Sequence, residues 1–339
     1  MENVKKLTID ELKSDQQIRW CAGCGNNAII TSVLRTLPEL GLPREQFVFI
    51  SGIGCSSRFP YYMNTYGFHG IHGRALSIAT GTKIANPKLS VWVITGDGDS
   101  MAIGGNHFIH AVRRNIDLNV LILNNQIYGL TKGQFSPTSD FGSITKTSPF
   151  GTIENPFNPG RLTLGARGRF FARVPDNNLP LMQEVFKAAA RHNGTSVVEI
   201  LQNCVIFNDK AHAAITDKKV KDEKQIILKH GEPMIFGKNG DKGIVLNKMN
   251  LEVVKIGQNG HARDEILLHN IEERNIAFHS SLAKMHQIEG MPMAMGIIRS
   301  IDDLNFNDKI YEQINEVKKT SDIKCADDLF NSGNTWEIK

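Results

Sequence analysis

The chain contains no apolar run approaching the roughly 20 residues needed to cross a bilayer. Its opening stretch, 1–17, is charged and lacks the apolar segment of a signal peptide. We therefore expect a cytoplasmic protein that does not engage a membrane. Charge of one sign is scarce too: 39 Lys and Arg against 35 Asp and Glu leave a formal charge of +4, too small and too dispersed for a nucleic-acid footprint. Five cysteines in 339 residues are too few for a disulfide scaffold, and an odd number in a reducing compartment argues against structural disulfides. No Gly-x-x-x-x-Gly-Lys-Ser/Thr loop occurs, and Met101 stands where the dinucleotide fingerprint needs its last glycine. Internal repeats and low-complexity tracts are absent. What is present, 41% hydrophobic residues with 30 Gly and 12 Pro, suits a globular chain of one large α/β domain or two ordinary ones.

Residues 47–51, 90–95, 119–124, 170–174 and 195–201 are short runs of Val, Ile, Leu and Phe that read as buried strands. Between them, 27–37, 73–86, 105–115 and 179–192 carry apolar residues at helical spacing. This alternation predicts an α/β fold, a parallel sheet with helices on both faces. Ligands of such sheets bind beyond the carboxyl ends of the strands, at the loops after Ser51, Thr95 and Asn124. After Cys204 the pattern changes. Residues 209–224 form a polar, Lys-rich stretch expected to be a solvated loop. Residues 225–229, 233–236, 243–247 and 251–256, separated by Gly and Asn turns, suggest a small antiparallel sheet. A helix is expected at 262–273. The expected division is a cofactor module at 1–205 and an extension at 206–339.

Gly96-Asp97-Gly98-Asp99 follows a predicted strand and precedes a helix beginning near Gly104. Asn124-Asn125 ends the next strand, with Asn125 28 residues beyond Asp97. A strand-helix-strand unit of about that length returns the chain to the same edge of a sheet, so Asp97 and Asn125 are expected side by side. With the carbonyl of Ile127 they make an all-oxygen set suited to Mg²⁺, leaving positions for diphosphate oxygens and water. This spacing resembles the thiamin diphosphate motif. Upstream, His72 and Arg74 in His72-Gly73-Arg74-Ala75 can donate to a diphosphate or a substrate carboxylate; taken singly, each is as readily a structural or solvated side chain.

Cys21 and Cys24 form a Cys-x-x-Cys knuckle, Cys55 follows a strand in Gly52-Ile53-Gly54-Cys55, and Cys204 lies just beyond the strand ending at Leu201. Four ligands from three strand ends can meet at one point, and a soft thiolate set selects zinc or an iron–sulfur cluster. A redox dithiol is a further reading of the knuckle alone.

The combination of both features resembles the β subunit of the 2-oxoacid:ferredoxin oxidoreductases. The resemblance rests on Trp20-Cys21-Ala22-Gly23-Cys24-Gly25, Gly52-Ile53-Gly54-Cys55, His72-Gly73-Arg74-Ala75, Gly96-Asp97-Gly98-Asp99, Gly104-Gly105-Asn106-His107, the run from Asn124 through Gln134, and Cys204. It extends more loosely into the tail, where His230-Gly231-Glu232-Pro233-Met234-Ile235-Phe236-Gly237 looks like the bacterial 2-oxoglutarate members. The resemblance implies one [4Fe-4S] cluster on Cys21, Cys24, Cys55 and Cys204, and Mg²⁺ on Asp97, Asn125 and Ile127. It also implies a thiamin diphosphate site at Gly54, His72, Gly73, Arg74, Gly96, Asp97, Gly98, Asp99, Asn125, Ile127 and Leu130. The reaction implied is coenzyme A-dependent oxidative decarboxylation of a 2-oxoacid, with electrons leaving through the cluster to ferredoxin. Lys132 and Arg58 are candidate cations for the distal carboxylate of a dicarboxylic substrate, which favours 2-oxoglutarate over pyruvate or a broad 2-oxoacid range. No pyrimidine-binding half of a thiamin enzyme is present, so an α subunit is the expected partner, as heterodimer or heterotetramer. A zinc-stabilised interaction module is the contrasting reading. Cys325 matches nothing in the family and is expected to be a free thiol.

Overall fold

The computed structural model describes residues 7–257, 260–336 and 338; the first six residues of the charged opening stretch lie outside the described residues. In chain order the strands are β1 (Phe47–Ser51), β2 (Tyr66–His69), β3 (Ser90–Gly96), β4 (Leu118–Asn124), β5 (Ile127–Tyr128), β6 (Gln134–Phe135), β7 (Phe170–Pro175), β8 (Thr195–Leu201), β9 (Gln225–Leu228), β10 (Ile235–Phe236), β11 (Lys242–Asn247), β12 (Asn250–Lys255) and β13 (Met293–Ser300). The main sheet has eight strands in the order β2-β1-β3-β4-β8-β7-β13-β9. All neighbours are parallel except β13, which runs antiparallel to β7. The expected α/β architecture with a mostly parallel sheet is thus present.

Side-chain alternation along each strand divides the core into two layers. On one face Val48, Ile50, Val91, Val93, Val120 and Ile122 pack against Leu76 and Ala79 of helix Ala75–Ala85 and Phe108 and Val112 of helix Gly105–Arg114. On the other, Phe47, Phe49, Trp92, Ile94, Leu121 and Leu123 pack against Ile29 and Val33 of helix Asn26–Thr36 and Val185 and Phe186 of helix Leu179–Arg191. Burial on both faces explains why these strands read as continuous apolar runs.

The tail differs from expectation in two places. Residues 225–229 do not join the small antiparallel sheet, which consists of β10, β11 and β12. Instead β9 pairs in parallel with β13 at the edge of the main sheet, because Ile226 and Leu228 bury their side chains in the main core. Residues 262–273 form no helix beyond a single turn at Arg263–Glu265. Their backbone runs extended against the small sheet: Leu267 N–H donates to Ile244 O, and Met234 N–H to Leu267 O. The helix comes later, at Ile276–Lys284, where Asn275 caps it by accepting from the amide of Ala277. The polar 209–224 stretch holds two single helical turns, Ala213–Thr216 and Lys221–Lys224. The exposed edge strand β2 has no counterpart in the sequence reading. Among the described residues no helix is long and apolar enough to cross a membrane.

Candidate cofactor and cysteine site

Gly96 of β3 is in register with Leu123 of β4, so the loops after these adjacent parallel strands open on one side of the sheet. Together with the loop after β1 they enclose a cleft of about 160 Å³. Gly54, Cys55, His72, Gly96, Asp97, Gly98, Asp99, Asn125, Ile127 and Leu130 line it, joined by Tyr128, Gly129 and Thr131.

Asp97 is 2% exposed. Its Oδ2 accepts the hydroxyls of Ser136 and Thr138, each at 2.5 Å. Burial pushes its carboxyl pKa up, and these hydroxyls and nearby backbone amides only partly offset that. Asn125 donates from Nδ2 to Gln202 Oε1 at 2.8 Å, while its Oδ1 accepts from the amide of Ile127 at 3.1 Å. A carboxylate, an amide oxygen and a neighbouring carbonyl on one cleft are hard oxygen donors, a set that fits Mg²⁺. A buried carboxylate with an up-shifted pKa is a group that a cation would hold in its charged form.

The neighbouring acid is engaged by the chain itself. Oδ1 of Asp99 accepts from the amides of Ile53 (3.1 Å) and Gly73 (2.7 Å) and faces His72 Nδ1 (2.6 Å), and Oδ2 accepts from the Thr95 hydroxyl (2.8 Å). Asp99 therefore ties three loops together behind the cleft. Gly73 contributes its amide to that tie. The guanidinium of Arg74 does not line the cleft; its Nη1 lies 2.7 Å from His107 Nε2.

Beyond Asn125 the chain forms a short hairpin, β5 with β6. Tyr128 covers the cleft floor, donating its hydroxyl to Gly98 O at 2.9 Å; burial and the carboxylates of Asp97 and Asp99 push its phenol up to about 12. At the hairpin turn Lys132 is exposed and has φ +76°, and Leu130 is half exposed. Arg58, in the 3-10 helix Ser56–Tyr62 that follows Cys55, is exposed as well, and its charge draws the Cys55 thiol down against the stronger upward push of burial.

The four candidate cysteines lie close enough to interact electrostatically: Cys24 with Cys204, Cys55 and Cys21, and Cys55 with Cys204 and Cys21. The knuckle is a tight turn in which the amide of Cys24 donates to Cys21 O (3.1 Å), pinned by Asn27 Nδ2 on both carbonyls. Burial pushes the Cys24 thiol up to about 11, and the proximity of Cys204, Cys55 and Cys21 adds to it. Gly129 lies between two of the sulfurs: a Cβ there would come within 3.4 Å of Cys204 Sγ and 3.8 Å of Cys55 Sγ. The indole of Trp20 donates to Cys55 O at 2.6 Å. Among the described residues no group of three His, Cys, Asp or Glu is arranged to hold a single metal ion. Four cysteine sulfurs gathered from three segments are a soft donor set, and a cationic iron–sulfide core would offset the burial and neighbouring sulfurs that raise the Cys24 and Cys55 thiols. Cys55 belongs both to this set and to the cleft wall, so the two centres share a boundary. Cys325 is exposed and far along the tail, a free thiol.

Ser136, Thr138, Tyr128 and Gln202 were not singled out from sequence. The first two lie in the run Ser136-Pro137-Thr138-Ser139, shortly after Gln134, where the motif that starts at Asn124 ends, and a hydroxyl cluster there is the signal that was available.

A family model described as thiamine pyrophosphate enzyme, C-terminal TPP binding domain, matches residues 52–200. A "2-oxoglutarate oxidoreductase subunit KorB" of Mycobacterium tuberculosis is 46% identical over 330 residues, 97% of this chain and 88% of that one. A "2-oxoglutarate synthase subunit KorB" of Archaeoglobus fulgidus is 46% identical over 185 residues, 55% of this chain and 69% of that one. Among solved structures, the 2-oxoglutarate:ferredoxin oxidoreductase from Magnetococcus marinus with 2-oxoglutarate, coenzyme A and succinyl-CoA bound is similar with a TM-score of 0.78 and 28% identity, covering 98% of each chain.

Proposed function

The chain belongs to the 2-oxoacid:ferredoxin oxidoreductase β-subunit family, an oxidoreductase family with a thiamin diphosphate-binding fold, and from that premise we propose that it serves a 2-oxoglutarate-specific member. In this reading it takes part in coenzyme A-dependent conversion of 2-oxoglutarate to succinyl-CoA and CO₂, and ferredoxin receives the electrons. The observation that carries the proposal is the shared wall. Cys55 stands in the four-thiol ring and lines the diphosphate cleft, so a two-electron oxidation in the cleft has a one-electron exit directly beside it. Thiamin diphosphate, when bound, supplies the electron sink for decarboxylation, and a [4Fe-4S] cluster supplies the exit.

The chain's own residues have distinct tasks in this reading. Asp97, Asn125 and the Ile127 carbonyl would hold Mg²⁺, which would supply positive charge for the diphosphate. Gly54, His72, Gly96, Gly98 and Leu130 line the cofactor's seat, and Gly73 and Asp99 brace it. Arg74, turned toward His107, stands at the outer margin of that seat. Cys21, Cys24, Cys55 and Cys204 hold the cluster. Lys132 and Arg58, exposed cations flanking the cleft, bind the distal carboxylate that distinguishes 2-oxoglutarate from pyruvate. Residues 1–205 form the cofactor module and 206–339 an extension. Five free thiols support a cytoplasmic setting.

An α subunit completes the site. Tyr66, Phe68, Ile71 and Ile103 are 50–74% exposed on and beside edge strand β2 and the His72 loop. Clustered large apolar side chains of this kind mark a protein interface.

The test is anaerobic co-expression with the α partner. A brown complex containing iron and sulfide, which reduces ferredoxin when given 2-oxoglutarate, coenzyme A and thiamin diphosphate, is the expected result. Colourless protein carrying zinc, or full turnover by this chain alone, would sink the reading.

A further inference from the structure

Gln202 lies just beyond β8 and is 1% exposed. Its amide donates to Asn124 O at 2.9 Å, which extends the β4–β8 ladder by one residue. The side chain makes three hydrogen bonds: Oε1 accepts from Asn125 Nδ2 (2.8 Å), and Nε2 donates to the carbonyl of Asn203 and to Cys24 Sγ (3.4 Å). One amide thus touches a candidate metal ligand and a candidate cluster ligand.

The orientation of this relay is fixed by backbone groups at both ends. The carbonyl of Asn203 can only accept, so the NH₂ of Gln202 must point toward it and Oε1 toward Asn125. At the other end the amide of Ile127 can only donate, so Asn125 must offer it Oδ1 and give its NH₂ to Gln202. Neither amide can flip without leaving two like groups face to face. Gly25 permits the approach of the knuckle: a Cβ there would lie 3.0 Å from Gln202 Cγ and 2.0 Å from Asp176 Oδ2.

We propose that Gln202 is a positioning residue that joins the two centres, orienting the Asn125 oxygen for the metal and tuning the cluster through its N–H···S bond to Cys24. The inference rests on the cofactor assignments above. Hydrogen bonds to the sulfurs are one of the levers that set a cluster's potential. An N–H directed at a thiolate stabilises the more negative, reduced state, so removing it makes the cluster harder to reduce. Acceptors and donors behind a metal ligand likewise set its affinity.

Two variants of the co-expressed complex separate these effects. Gln202→Met keeps the length and loses all three bonds. Gln202→Glu keeps an oxygen for Asn125 and replaces the NH₂ by an acceptor that faces the Asn203 carbonyl and Cys24 Sγ. Redox titration followed by electron paramagnetic resonance should show both variants reduced less readily. The expected size is a roughly tenfold lower reduced-to-oxidised ratio at a fixed potential, which is about 59 mV for one electron. Mn²⁺ titration in the presence of thiamin diphosphate should show about 10–100-fold weaker metal binding in Gln202→Met, with Gln202→Glu close to the unaltered complex. An unmoved midpoint potential in both variants overturns the tuning role. Loss of the cluster from both, with metal binding intact, overturns it too, in favour of simple support. Unchanged Mn²⁺ affinity in Gln202→Met overturns the orienting role. Absence of a cluster from the unaltered complex is a different result, since it removes the functional reading itself.

Discussion

The hydroxyl of Thr138 donates to Oδ2 of Asp97 at 2.5 Å, across 41 residues of sequence, and Ser136 donates to the same oxygen at 2.5 Å. Both hydroxyls therefore hold the same oxygen of the carboxylate, and neither engages Oδ1. Ser136 and Thr138 also anchor the base of the β5–β6 hairpin to Asp97, the carboxylate of the proposed metal site.

Removing that support should weaken the metal more than the fold. The double variant Ser136→Ala, Thr138→Val is expected to lose about 10–100-fold in Mg²⁺ or Mn²⁺ affinity, while Thr138→Ser retains most of it. Metal titration of the complex with thiamin diphosphate present is the check; affinity within about threefold of the unaltered protein would show that the hydroxyls are dispensable. Acidification should act in the same direction, because burial raises the Asp97 pKa and a protonated carboxyl is a poor ligand.

Lys132 sits at the hairpin turn with φ +76°, exposed and next in sequence to Thr131 of the cleft lining. A charge-assisted contact to a substrate carboxylate is worth about 1.5–3 kcal/mol. Lys132→Met should therefore raise KM for 2-oxoglutarate about tenfold or more and leave that for pyruvate nearly unchanged. Equal effects on the two substrates in steady-state assays would reassign Lys132 to the surface.

How much of this was legible in the sequence depends on the kind of contact. Asp97 and Asn125 could be placed together because a strand-helix-strand crossover returns to the adjacent strand, and β3 and β4 are adjacent. Residues 195–201 were legible to the residue because the strand is buried on both faces and begins after Gly194. By contrast, the bonds of Ser136 and Thr138 to Asp97, and of Gln202 to Asn125 and Cys24, join residues tens to hundreds of positions apart. No periodicity records such contacts. The edge strand β9 was visible as a strand, but its partner was not, because Ile226 and Leu228 suit either sheet and only the distant β13 decides the matter.

The cysteine ring makes a prediction for the cluster-free protein. Burial and three neighbouring sulfurs push the Cys24 thiol up to about 11, so at neutral pH it is almost wholly protonated and slow to react. After chelation of the cluster under anaerobic conditions, iodoacetamide should label exposed Cys325 well before Cys24 at pH 8. The Cys24 rate should climb about tenfold per pH unit and level off only near pH 11. Peptide mass mapping across pH gives both rates, and early labelling of Cys24 at pH 8 would show that the ring opens when empty.

The tail carries a second pH dependence, in which burial shifts pKa values down rather than up. Burial pushes His286 down to about 3, with the Arg173 charge adding to it, and Nδ1 of His286 is buried without a partner. His279 is pushed down to about 4, chiefly by burial, with Arg299 contributing. There the Arg299 guanidinium donates to His279 Nδ1 at 2.7 Å, leaving Nε2 to donate to Asn270 O at 2.9 Å, a pairing that requires the neutral ring. Both folded-state values lie below the unfolded value of about 6.5, so between them the unfolded chain binds more protons. Stability is then complete above pH 6.5 and declines as pH falls toward 4. At pH 5 each group costs about 2 kcal/mol by this linkage. His286→Leu removes one of the two, and the difference in unfolding free energy between pH 7 and pH 5 should shrink by about that amount relative to the unaltered complex. Denaturant titrations at the two pH values measure it, and an undiminished difference would mean that the acid sensitivity does not arise at His286.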